Sequence, residues 1–156
     1  MLADITMQIA VVVLLAVGYL VIQIYRSRRV ANELRTYLYA SLKLAGISDS
    51  ELDPDKDQFL AGYIVKFSAD FADRKLPSKR WGLVGVALRF VFGDKCPHIA
   101  IESYVNNFDS DEFIDGVNSA IADQVAKAGA YPHLLCLHYR AKSRREHVDG
   151  IYVRTF

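Results

Sequence analysis

The sequence predicts an α+β protein carried on an N-terminal transmembrane helix, and three observations predict it. Ile5 to Tyr25 is a run of 21 positions without a charged residue. Phe59, Tyr63, Phe67 and Phe71 recur every fourth residue, the spacing of one face of a helix. Two later segments, Trp81 to Phe92 and Pro132 to Tyr139, are short, dense in apolar residues and read as alternating strands.

The apolar run comes first in the chain. At about 1.5 Å per residue a helix over residues 5–25 is about 30 Å long, the thickness of a bilayer core. Asp4 stands before the run and Tyr25-Arg26-Ser27-Arg28-Arg29 after it. That is the reverse of the charge order in a secretory signal and has no small-residue cleavage site, so a retained anchor is expected. Arg26, Arg28, Arg29 and Arg35 all follow the run and no Lys or Arg precedes it. The positive-inside rule then predicts a short outward N-terminus (residues 1–4) and a cytoplasmic C-terminal part.

Residues 26–46 continue the helix as a basic stalk. Val30, Leu34, Tyr37, Leu38, Ser41 and Ala45 keep spacings of three and four, and Gly46 is the first residue suited to end a helix. Leu34, Tyr37, Leu38 and Leu42 form a stripe that needs an apolar surface, so they are expected to meet another helix, from the same chain, a second copy or another subunit. Arg26, Arg28 and Arg29 are expected to face anionic headgroups.

Residues 47–53 read as a polar linker, and Asp53-Pro54 as N-cap and first residue of the next helix. The domain over residues 54–156 then reads α-β-β-α-β-β. Its first helix buries the Phe59 to Phe71 stripe on a sheet. Val84, Val86, Leu88, Phe90 and Phe92 alternate along the first strand; Gly93-Asp94-Lys95 turns into a second strand, His98 to Val105. Asp109 or Ser110 caps a second helix that buries Phe113, Val117, Ile121 and Val125 and ends at Gly129. Pro132 to Tyr139 and His147 to Phe156 supply the last two strands, giving an antiparallel sheet. The order is similar to that of the small roadblock and profilin-like scaffolding modules, a likeness of topology alone.

Composition narrows the function. A net charge of +1 excludes a strongly basic nucleic-acid binder, and two cysteines exclude a disulfide scaffold. No phosphate-binding loop, dinucleotide fingerprint or nucleophile elbow occurs. Two Cys-x-His pairs, Cys96/His98 and Cys136/His138, would each share one face of a strand and offer a Zn²⁺ set, although their spacing is not that of structural zinc sites. Cys136 with His138 as base, and His98, Glu102, His133 and Asp149 around them, is the enzymatic alternative. Two basic loops stand out: Lys142, Arg144 and Arg145, and Arg74, Lys75, Lys79 and Arg80. Their alternative role is contact with nucleic acid or anionic lipid, of which the modest net charge does not favour nucleic acid. The first expectation is a single-pass membrane-anchored accessory or scaffolding subunit whose cytoplasmic domain binds proteins or itself, with no cofactor and no evident small-molecule substrate.

Overall fold

The structure, a computed structural model, describes residues 2–47, 52–96, 110–125 and 134–141. Every regular element among them is helical: α1 (Leu2–Ala45), α2 (Gln58–Lys75), α3 (Arg80–Phe92), α4 (Asp111–Val125) and α5 (134–141), with single 3₁₀ turns at Pro77–Lys79 and Gly93–Lys95. The expected α+β fold with an antiparallel sheet, and with it the roadblock-like topology, is therefore overturned. The expected strands at 98–105 and 147–156 lie outside the described residues, as do the helix end at Gly129 and most of the linker.

α1 is one unbroken helix of 44 residues. Its Met7–Tyr25 stretch carries apolar side chains on all sides, and none of its most apolar 18-residue window, of mean hydropathy 2.4, is covered by the rest of the molecule. It is long and apolar enough to cross a membrane. From Val30 onward the pattern changes to one stripe: Val30, Leu34, Leu38, Ser41, Leu42 and Ala45 are buried. The helix stops at Gly46, whose φ of 73° is open to glycine but strained for other residues. There the Ile47 N–H donates to the Leu42 carbonyl (3.0 Å) and the Gly46 N–H to that of Lys43 (3.2 Å), satisfying two carbonyls of the last turn.

Asp53 and Pro54 do not start α2. They close a turn in which the Asp57 N–H donates to the Asp53 carbonyl at 2.7 Å and the Asp53 N–H to the Asp57 carboxylate at 3.2 Å, and the helix begins at Gln58. α2 is the centre of the bundle, with α1, α3 and α4 packed around it. It runs antiparallel to the second half of α1, since Tyr37 meets Phe67 and Phe71 (ring centroids 6.3 Å in both pairs) while Lys75 reaches Glu33 (2.9 Å). Phe59, Tyr63 and Phe71 are buried as expected, but on helices and not on a sheet; Phe67 and Val117, expected in the core, are half-buried, and Ile121 and Val125, expected on the buried face of α4, are exposed.

α3 occupies the segment expected as the first strand. The alternation of Val84, Val86, Leu88, Phe90 and Phe92 does not describe its burial: Phe90 is 39% exposed and Val86 half-buried, whereas Leu83, Val84, Ala87, Leu88, Val91 and Phe92 are covered at spacings of three and four. Strand propensity spans only about 1 kcal/mol and yields to packing, and a short apolar run is ambiguous by periodicity. α5 likewise replaces the expected strand at 132–139 over residues 134–139. α4 begins where expected, with Ser110 as cap: the Phe113 N–H donates to Ser110 Oγ at 3.2 Å, and Asp111 and Glu112 lie in the first turn.

α2 and α4 meet through a reciprocal contact. A Cβ on Gly62 would strike the Phe113 carbonyl oxygen, and a Cβ on Gly116 would strike that of Phe59. Two backbones touch where each helix presents the same Phe-x-x-Gly sequence, Phe59-Leu-Ala-Gly62 and Phe113-Ile-Asp-Gly116. Gly62→Ala and Gly116→Ala should therefore each lower stability by about 1–3 kcal/mol, although alanine favours an isolated helix by about 1 kcal/mol. Gly82, whose Cβ direction is open, should accept alanine without loss. Denaturant unfolding of the three variants checks this, and two tolerated substitutions at the crossing would contradict it.

Candidate functional site where the apolar helix meets the bundle

The return of α2 toward the apolar half of α1 brings distant basic residues together. The Arg26 guanidinium donates to the Lys75 carbonyl at 3.4 Å, and Lys75 pairs with Glu33. The 3₁₀ turn that follows α2 exposes Lys79 and hands the chain to α3 through Arg80 and Trp81. Arg80 is held by Asp73 (3.3 Å) and lies 5.3 Å from the Trp81 ring centre. Arg28, Arg29, Arg74 and Lys79 are exposed on the same end.

Between α1 and α3 at this end lies an open groove of about 480 Å³. Leu20, Ile24 and Arg28 form one wall, and Lys79, Gly82 and Val86 the other. Its size falls within the roughly 300–1,000 Å³ of small-ligand pockets. Its apolar lining comes from both helices, Leu20 and Ile24 of α1 and Leu83 and Val86 of α3, and Arg28 and Lys79 are its two cations. Neither Arg28 nor Lys79 has an acidic partner among the described residues.

The residues expected to meet another helix are buried within the chain. Leu34, Leu38 and Leu42 are 0%, 2% and 4% exposed, and Tyr37 is half-buried between Phe67 and Phe71. Tyr37 meets α2, and the leucines join one core cluster with residues of α2 and α3 of the same chain, so they offer no surface to a separate molecule. Lys142, Arg144 and Arg145 lie outside the described residues.

Cys96 and Cys136 are both buried and not disulfide-bonded, and burial pushes the Cys96 thiol up, against a smaller opposing pull from Arg89. His98 lies outside the described residues, as do Glu102, His133 and Asp149. The shared face expected of Cys136 and His138 required a strand; two positions along a helix turn them about 200° apart. His138 instead lies flat on the Phe59 ring (centroids 3.7 Å, planes 4° apart). Among the described residues no group of three or more His, Cys, Asp and Glu converges to hold a metal ion.

A polar junction that the sequence reading missed ties the far side together. Asp123 of α4 accepts from the Tyr63 hydroxyl at 2.9 Å and from the Leu134 N–H at 3.1 Å, so one carboxylate joins α2 to α4 and caps α5. Burial first, then the Asp123 hydrogen bond and charge, drive the Tyr63 pKa far up. Burial, then Asp57 and Glu112, do the same to Tyr139. The available signal was the repeated Asp-x-Asp-x-Phe-x-x-Gly, with Asp55 and Asp57 before Phe59 and Asp109 and Asp111 before Phe113, which marks α2 and α4 as paired elements. Comparison of the chain with known protein families, curated proteins and solved structures finds no match.

The tyrosines set a pH dependence. Both are raised in the folded state, so the stability linked to their neutral forms is complete below the unfolded tyrosine value of about 10 and is lost as pH climbs above it. Circular dichroism should show the bundle unfolding progressively above about pH 10, with a shallower alkaline decline in Tyr63→Phe and Tyr139→Phe. An identical alkaline limb in both variants would contradict the assignment.

Proposed function

We propose that the chain is a single-pass membrane protein, with its N-terminus outside and residues 26–156 in the cytoplasm, whose helical domain acts as an accessory or scaffolding module for other proteins of a membrane complex. The observation that carries the reading is the continuity of α1. Its uncovered apolar half suits a bilayer, and its second half is a core helix of the bundle. A domain built on its own anchor is held at a fixed height and orientation, which serves an assembly role. The orientation rests on the Arg residues that follow the apolar segment. Since Leu34, Leu38 and Leu42 are spent inside the chain, partner recognition belongs to the outer faces of the bundle.

Two measurements test this. A C-terminal reporter that works only outside the cytoplasm should stay silent, and the full chain solubilised in mild detergent should co-purify with a reproducible protein partner at fixed stoichiometry. An active reporter would overturn the orientation. A chain that emerges alone under conditions that preserve other membrane complexes would overturn the scaffolding role.

A further inference from the structure

We propose that the groove between α1 and α3 is a binding site for one anionic phospholipid of the leaflet that faces the bundle. The proposal rests on the reading of α1 as a membrane span. With residues 5–25 in the bilayer, Leu20 and Ile24 lie at the depth of acyl chains and Arg28 lies just outside, at headgroup depth. The α1 wall therefore crosses the boundary between hydrocarbon and headgroup, apolar at Leu20 and Ile24 and cationic at Arg28.

The two walls together match such a lipid. Leu20 and Ile24 offer an apolar surface to an acyl chain, and Gly82 on the other wall leaves the groove open: a Cβ there would meet no atom within 4 Å. Arg28 and Lys79, one from each wall, stand where the phosphate would lie, and neither is neutralised by an acidic side chain among the described residues. Arg26, Arg29 and Arg74 add positive charge to the same end, and Trp81 beside Arg80 has the amphipathic character of residues at a headgroup boundary. The basic loop 74–80 and the basic residues after the span are far apart in sequence, and the fold makes them one surface.

The test uses the full chain in bilayer discs that contain phosphatidylglycerol and phosphatidylcholine in equal amounts, with retained lipid read by native mass spectrometry. Wild-type protein should retain one phosphatidylglycerol in preference to phosphatidylcholine. Arg28→Gln and Lys79→Gln should each reduce that preference about fivefold, the ratio that corresponds to about 1 kcal/mol per basic residue at an anionic surface. Gly82→Leu fills open space and removes a helix-interior glycine, so it should leave the fold intact while abolishing retention of either lipid. Equal retention of the two lipids, undiminished retention by Gly82→Leu, or displacement of the lipid by inorganic phosphate would overturn the proposal, the last by showing a site for phosphate alone. Alkaline carbonate extraction separates the two readings. A chain released into the supernatant overturns the membrane span and the lipid site with it, whereas a chain that stays in the membrane without retaining lipid overturns the lipid site only.

Discussion

An α-helix satisfies its backbone hydrogen bonds internally, so one helix can carry an uncovered apolar half and a packed half without a break, and α1 does so. Over 44 residues it changes from a cylinder apolar on every side to a helix apolar along one stripe. The change falls at Arg26 to Val30, where the arginines end the uncovered run and Val30 begins the buried one. Everything else is placed relative to that helix. α2 returns antiparallel along the stripe, its last turn reaches Arg26 and Glu33, and α3 starts from there. A break in α1 after Tyr25 would part Leu20 and Ile24 from the groove they form with Lys79, Gly82 and Val86 of the bundle.

The second constraint is the close approach of α2 and α4. Gly62 against the Phe113 carbonyl and Gly116 against that of Phe59 bring two backbones into contact. Such a crossing gathers many weak contacts and tolerates no added atom. Asp123 works at the same interface, holding Tyr63 and the first amide of α5. The bundle is thus tied at one side by small residues and a shared carboxylate, and at the other by the leucine stripe of α1. Leu34, Leu60, Ile64 and Leu88, all at most 1% exposed, fill the space between.

The legible parts of the fold were those with a local cause. The long apolar helix, its continuation to Ala45, the stop at Gly46 and the Ser110 cap each rest on residues within a turn or two of the feature. α3 and α5 were not legible because their causes are distant. Residues 80–92 carry strand-like side chains, and only the surfaces of α1 and α2 select the helical pattern of burial. α5 starts on a carboxylate from Asp123, eleven residues upstream on another helix. The candidate site divides in the same way. Arg28 and the loop 74–80 were each visible as basic, but that they share a groove follows from the return path of α2. The Leu34, Leu38 and Leu42 stripe was legible as a contact surface, and its occupant was not.

The central claim is that anchor and domain share one helix, and substitution in the stripe tests it most directly. Leu34→Glu with Leu38→Glu would place two carboxylates in positions that are 0% and 2% exposed. Unpaired buried charges cost several kcal/mol, a large part of the roughly 5–15 kcal/mol that holds a domain together. In the full chain, this account predicts that the double variant still inserts into membranes but loses the cooperative thermal transition of its helical domain. A double variant that inserts and melts like the wild type would mean that the bundle does not use α1 as a core helix, and the account would be wrong.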